Sequence, residues 1–197
     1  MSQLDKMVSK AYRRGVQNGR RRTYARLKAR VSVPVGKHPG AFGAVRKHDR
    51  HCGVDLYCYQ DCPVYAVESG VVVAIENFTG ARAGCPWWLD TRAIKIEGAS
   101  GVVCYGEILE YQRLAIGTSV SAGSYLGNVV PVLPSEKFRP DIPGHSCSML
   151  HLQLYEHGML HKDGDWGRDT EIPKGVLDPT PYLTGLPGVK TINMETI

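Results

Sequence analysis

Two histidines and an aspartate, widely separated in the chain, carry the most pointed chemistry in this sequence. His51-Cys52-Gly53-Val54-Asp55 sets an imidazole and a carboxylate four residues apart with a glycine midway. In an extended strand successive side chains point to opposite faces, so His51, Gly53 and Asp55 share one side and Cys52, Val54 and Leu56 the other. A bulky side chain at position 53 would obstruct the space between the two polar groups, and the opposite, apolar side predicts core. The second element is Met149-Leu150-His151-Leu152-Gln153-Leu154-Tyr155. Its three leucines form a core face, leaving Met149, His151, Gln153 and Tyr155 on the other. Neither element is specific alone, since a His and an Asp four apart are common and a histidine on a polar strand face is usually a plain surface residue. Together they offer two imidazoles and one carboxylate, a ligand set for catalytic zinc with a fourth position left for water.

The elements that must position these residues read as strands and turns. The 197 residues include 22 Gly and 12 Pro, which favours short strands joined by turns over long helices. Strands are predicted at 64–66, 70–75, 93–96, 102–108, 126–132 and 149–155. Residues 79–91 form a hairpin insertion whose Trp87 and Trp88 cannot both face a core; one is expected to line a groove or meet a partner, the other to pack beneath the loop. Residues 133–148 are too proline-rich for regular structure and read as a loop over the domain's face. Asp178-Pro179-Thr180-Pro181-Tyr182-Leu183 reads as a turn that lays the C-terminus back on the body.

The N-terminus differs from this body. Leu4, Met7, Val8, Ala11 and Tyr12 recur at helical spacing, while Gly15 and Gly19 weaken the middle of the helix by about 1 kcal/mol each relative to Ala. Pro34, Gly36, Pro39 and Gly40 mark a linker. The expected division is a basic helical arm and linker over 1–40, a β-domain over 41–184 and a tail over 185–197. The first thirty residues hold ten Lys or Arg against one acid, a net +9 in a chain of total +5, so the remainder is −4. Such an arm suits docking on an anionic surface or a solvated tail; it lacks the interleaved aromatics of a nucleic-acid stacking surface, which argues against nucleic acid as its partner. No apolar run reaches the ~20 residues of a membrane span. The six cysteines form no C-x-x-C pair, and Cys58 and Cys62 are spaced too loosely for a zinc knuckle. They read as reduced thiols, several of them packing in the core, with extra metal ligation by Cys52, Cys58 or Cys62 left open.

Five ordered blocks resemble the lysostaphin-type zinc endopeptidases. They are Phe42-Gly43 with the His51-to-Asp55 motif; the run Pro63 to Val72; Tyr105-Gly106-Glu107-Ile108; the turn from Gly117 to Gly127; and Met149-Leu150-His151-Leu152 with the Asp178-Pro179-Thr180-Pro181 tail. The resemblance implies a mainly β, compact antiparallel sandwich or barrel-like fold, with zinc held by His51, Asp55 and His151. It also implies hydrolysis of peptidoglycan peptides, zinc acidifying a water toward a pKa of ~7 and polarising the scissile carbonyl.

Two positions depart from the family pattern, which supplies a further histidine two residues before the last ligand and another on the Tyr-x-His strand. Here these are Met149 and Glu107. A thioether neither shuttles protons nor donates hydrogen bonds, whereas Glu107 can act as a base. Strand alternation places it on the face of Tyr105, a candidate donor. Two readings stay open: a variant catalyst with Glu107 as general base, or a zinc-binding structural protein without turnover. The bland role for Glu107 is a salt bridge to Arg46 or support of a ligand. Gln153 is a candidate to hold a ligand's second ring nitrogen, and His145 a loop residue able to swing over the metal; His38, His48, His157 and His161 receive no role. Paired histidines of sugar-transport phosphocarriers offer a third comparison, but Asp55 at a ligand position would repel phosphate. The Tyr-Gly-Glu-Ile and Met-Leu-His pairing resembles a phage-encoded branch of the family. With no apolar export segment at the start of the sequence, the expectation is a virion-associated wall hydrolase at a tail or baseplate, its basic arm docked on other virion proteins.

Overall fold

The alternation read along Met149–Tyr155 becomes one central strand of an open antiparallel sheet, and the rest of the fold serves to cover its two faces. The structure is a computed structural model and describes residues 32–47, 49–137, 148–160, 166–185 and 190–193. The basic arm, His48, His145, His161 and Cys147 lie outside the described residues. In chain order the strands are β1 (Ser32–Pro34), β2 (Val54–Tyr57), β3 (Pro63–Tyr65), β4 (Gly70–Thr79), β5 (Thr91–Gly98), β6 (Gly101–Glu110), β7 (Ser119–Val120), β8 (Tyr125–Val129), β9 (Met149–Tyr155), β10 (Val176–Leu177) and β11 (Lys190–Ile192). Nine of them form one sheet ordered β10-β9-β6-β5-β4-β7, with β2 on β9, β8 on β6 and β3 on β8. This is the mainly β architecture that the sequence predicts, with the sheet left open. β1 and β11 pair in parallel, one from the segment read as linker and one from the segment read as tail.

β-Branched residues recur along the long meander β4–β5–β6, where they suit a pleated, half-buried surface. The turn from β5 to β6 needs Gly101, whose φ is +117° and whose missing Cβ would otherwise sit 2.1 Å from the Tyr155 carbonyl oxygen. The main core gathers Val54, Val64, Ala66, Val72, Ile94, Ile96, Val103, Tyr105, Ile108, Leu126, Leu152 and Leu154 on one side of the sheet. Leu150 packs against that core from its edge. A second, smaller cluster covers the other side: Ala93, Val102, Cys104, Tyr155 and Val176, joined by Phe42, Cys52, Phe78 and Met159. The second face of β9 is therefore buried as well, including His151, Gln153 and Tyr155.

Three local expectations change. His51, Cys52 and Gly53 precede β2, and the chain bends at Gly53; Cys52 consequently joins the smaller cluster instead of the core that holds Val54. Trp87 and Trp88 are both substantially exposed, at 60% and 38%, so neither packs fully beneath its loop. The Asp178-to-Leu183 turn is a short helix, Thr180–Thr184, in which Thr180 N–H donates to Asp178 Oδ1 at 2.8 Å and Leu183 is buried in the core.

Candidate metal centre

Strand register brings the three chemically pointed residues together. β2 and β9 are antiparallel with Asp55 opposite His151, and side chains of directly opposed residues share a face. His51 reaches the same spot from the bend ahead of β2. Its position is set by the 41–44 segment: His51 N–H donates to Ala44 O at 3.0 Å, and Gly43 N–H to His51 O at 2.8 Å. All three residues are buried.

Three ligand atoms converge. His51 Nε2 lies 3.1 Å from Asp55 Oδ1, His151 Nδ1 lies 2.8 Å from the same oxygen, and the two nitrogens are 3.1 Å apart. Ligands of a tetrahedral zinc at ~2.0–2.1 Å stand roughly 3.3 Å from one another, so a triangle of this size is close to what the ion requires. Protonation supports the same conclusion. His51 Nδ1 is 3.0 Å from the Ala41 carbonyl, which can only accept. Nδ1 therefore carries the hydrogen of the neutral ring, and Nε2 turns a lone pair toward a carboxylate oxygen. Two acceptors at that distance repel unless a proton or a cation lies between them. Burial pushes the His151 imidazole below its ordinary pKa, against the pull of Asp55, so that ring favours its neutral, ligand-competent form. At Asp55 burial raises the carboxyl, but the two facing histidines outweigh it and hold the group well below the usual carboxylate range. The donor set fits a divalent cation of the zinc type.

The surroundings orient these ligands. Arg46 Nη2 donates to Asp55 Oδ2 at 2.9 Å, which leaves Oδ1 for the centre. Phe78 stacks obliquely on His151 with centroids 5.3 Å apart, and a Cβ at Gly106 would fall 2.5 Å from that phenyl ring. Gly53 is required as expected: a Cβ there would lie 2.8 Å from His151 Nε2 and 2.6 Å from the Leu152 carbonyl oxygen. The Tyr57 hydroxyl is pushed above its ordinary pKa, chiefly by burial and then by the Asp55 charge, so it remains a protonated donor near the site.

Glu107 occupies a backbone irregularity. Its φ is +63°, unusual for a side chain other than glycine. Gly106 pairs with His151 on β9, and Ile108 with Val129 on β8, so Glu107 stands where β6 changes partner. A register shift against β5 marks the same point. Tyr105 and Ile108, three apart, both enter the main core. The extra residue between them breaks period-two alternation and turns Gly106 and Glu107 together toward the His151 side. Glu107 thus does not share the face of Tyr105. The Tyr105 hydroxyl lies in the core, accepting the Val67 N–H at 2.9 Å, and is no donor to the site. Burial, with the Asp55 charge adding to it, raises the Glu107 carboxyl well above its ordinary pKa, while Arg46 opposes the shift. Glu107 Oε2 is buried and has no hydrogen-bond partner among the described residues.

The other sequence assignments divide. Arg46 pairs with Asp55, not with Glu107. Gln153 does not hold a ligand's second nitrogen: its Oε1 accepts from the Tyr155 hydroxyl, while the His51 ring is held by the Ala41 carbonyl. Met149 stands at the start of β9, opposite Tyr57. His38 is buried, its Nδ1 accepting from the Gly40 N–H at 3.0 Å, and His157 pairs with Glu97 at the surface. Among the described residues no cysteine joins a cluster of three potential ligands; His51, Asp55 and His151 do. Sequence reasoning overlooked Ala41, Arg46 as a support of Asp55, and Phe78. A backbone carbonyl leaves no trace in residue type, and the other two contacts depend on how separate segments pack.

Solved structures share this architecture. Lysostaphin from Staphylococcus simulans, an antimicrobial peptidase, superposes with a TM-score of 0.51 at 18% identity, over 81% of this chain and 51% of that one. The fold is of the lysostaphin type. The catalytic domain of lysostaphin, crystallised in the absence of phosphate, gives 0.49 at 18% identity over 81% of this chain and 97% of its own. LytU gives 0.49 at 17% identity over 80% and 88%. This chain spans about half the length of intact lysostaphin. No family model matches the sequence, and no curated protein does. Within this lysostaphin-type fold the candidate ligands sit on the β2–β9 ladder and the ordered segment ahead of it.

Proposed function

We propose that this chain is a zinc-dependent endopeptidase that cleaves peptidoglycan peptides. It would be carried in a phage particle, at the tail or baseplate, to open the wall locally during infection. The observation that carries the reading is the convergence of His51 Nε2, His151 Nδ1 and Asp55 Oδ1, with the His51 lone pair aimed at a carboxylate oxygen. The shared fold with lysostaphin supports it. The virion assignment rests on the basic arm and on the phage-like Tyr-Gly-Glu-Ile and Met-Leu-His motifs.

Zinc held by these three residues would supply a Lewis acid for the scissile carbonyl and acidify the attacking water. The chain's own groups handle position and protons. Arg46 fixes Asp55 so that a single oxygen faces the centre. Glu107, buried and with a raised proton affinity, would in its ionised form take a proton from the attacking water and return it to the leaving amine nitrogen. One purified preparation, measured for bound zinc and for new amino groups released from peptidoglycan, tests both halves. Zinc in stoichiometric amount together with amino-group release is expected. Bound zinc without cleavage of any wall chemistry would sink the enzyme and leave the second reading, a zinc-bearing structural or assembly module. Met149 favours that alternative, since it cannot perform the work of a helper histidine.

A further inference from the structure

Of the three candidate ligands, His51 alone is carried by no strand. It precedes β2, so its approach to Asp55 and His151 depends on what holds the chain around it. The segment ahead of it is a narrow hairpin: Val45 bridges Arg50 in antiparallel fashion, and Arg46 N–H donates to Asp49 O at 2.8 Å. The same hairpin carries Arg46, whose guanidinium grips Asp55. A distant stretch, 166–170, clasps it from outside. Arg50 N–H donates to Trp166 O at 2.7 Å, Asp49 bridges Gly167, and Arg50 Nε donates to Arg168 O at 2.7 Å. The Trp166 indole packs at the root of the hairpin. Its ring lies 5.4 Å from that of Phe42 between centroids, and the Arg50 guanidinium stands over it at 5.9 Å. Its edge comes within 3.6 Å of where a Cβ on Gly43 would sit. The clasp is also closed on itself: Trp166 Nε1–H donates to Thr170 O at 3.1 Å, and the Thr170 hydroxyl and N–H both donate to Gly167 O, at 2.9 and 3.1 Å.

We propose that Trp166 is a positioning residue for the candidate metal centre: with the stretch 166–170 it locks the hairpin from which His51 and, through Arg46, Asp55 are aimed. Ordering a segment outside the sheet costs conformational entropy at every residue, and hydrogen bonds on exposed backbone open readily. The Phe42–Trp166 ring pair and the Arg50 guanidinium over the indole offset that cost at one point, directly ahead of His51. The Ala41 carbonyl and Arg46 touch the ligands themselves; Trp166 acts on the backbone that carries them. The consequence for metal binding rests on the zinc reading above, whereas the effect on the hairpin does not.

The test compares the full chain as wild type, Trp166→Ala and Trp166→Phe in two measurements. The first is hydrogen exchange of backbone amides in the metal-free protein. Trp166→Ala should lose protection at the Gly43 and His51 amides, which bond His51 O and Ala44 O, while the amides of β9 exchange as in the wild type. The second is zinc affinity by competition with a chromogenic chelator, which should fall about 10–100-fold, as when the partners that orient a ligand are lost. Trp166→Phe keeps a ring over Phe42 and should recover most of both. Unchanged protection at Gly43 and His51, or a zinc affinity equal to that of the wild type, would overturn the proposal. A loss of protection that extends equally through β9 would overturn it too, since it marks a general stabilising role. Wild-type protein that takes up no zinc would remove the zinc reading, and the exchange pattern would still decide the clasp. If Trp166→Ala does not fold, native-state exchange of the wild type decides. Under mild denaturant the Arg50, His51 and Thr170 amides should open together and before those of β9; independent opening of His51 overturns the proposal.

Discussion

At the His51–Asp55–His151 triangle each residue is steadied from behind, His51 by the Ala41 carbonyl, Asp55 by Arg46 and His151 by the Phe78 ring, although His151 Nε2 is buried without a hydrogen-bond partner among the described residues. Glu107, on the neighbouring strand, is also buried with one unpartnered oxygen, but in addition its backbone is held in the left-handed region. A site with oriented ligands suits tight, static binding. A buried carboxyl with an unmet oxygen is costly to keep, and such irregularities cluster where a group must act. Under the proposed function, the contrast separates holding an ion from turning over a substrate.

The largest effect should come from breaking the triangle. Asp55→Ala or His151→Ala should reduce stoichiometric zinc to background, measured by metal analysis after dialysis, and should abolish peptidoglycan cleavage with it. Retention of zinc by both variants would move the metal centre elsewhere. Glu107→Gln sharpens the comparison from the other side. It should keep zinc at wild-type stoichiometry while cleavage falls by roughly 10²–10⁴-fold, the usual range for losing a general acid–base group. Unchanged turnover would remove Glu107 from the chemistry.

Arg46 belongs to the supporting layer, so Arg46→Met should weaken zinc affinity by about 10–100-fold, as loss of a ligand's hydrogen-bond partner commonly does. Competition with a chromogenic chelator would read this directly, and an unaltered affinity would show that Asp55 needs no such anchor. The smallest effect concerns the metal-free protein and pH. Glu107 ionises near its ordinary value of 4.5 when unfolded but well above it when folded. The folded state therefore binds the extra proton. Its contribution is complete below the unfolded pKa and is lost as pH rises toward the folded pKa. Denaturant midpoints across pH 5–8 should fall more steeply for the wild type than for Glu107→Gln; parallel curves would mean that Glu107 is not titrating from a buried neutral state.

Much of this is legible in the sequence. Met149–Tyr155 alternates so cleanly that its strand bounds are reproduced residue for residue, and Gly53 is needed for the reason its position suggests. Glu107 was misplaced because alternation assumes one residue per step. The available signal was the spacing of three between Tyr105 and Ile108, two core residues on one strand. Gln153 was misassigned because strand position says which way a side chain leaves the backbone, not which neighbour it meets; Tyr155, two residues on along the same face, claims its oxygen.

The sequence by itself determined the candidate ligand types, the strand that carries His151 and the open space at Gly53, because period-two geometry and the absence of a Cβ are local properties. Only the tertiary structure decided that Asp55 lies opposite His151, that Ala41 orients His51, that Arg46 grips Asp55, and that a bulge turns Glu107 toward the centre. Each of those depends on register between segments distant in the chain, or on a backbone carbonyl that every residue possesses.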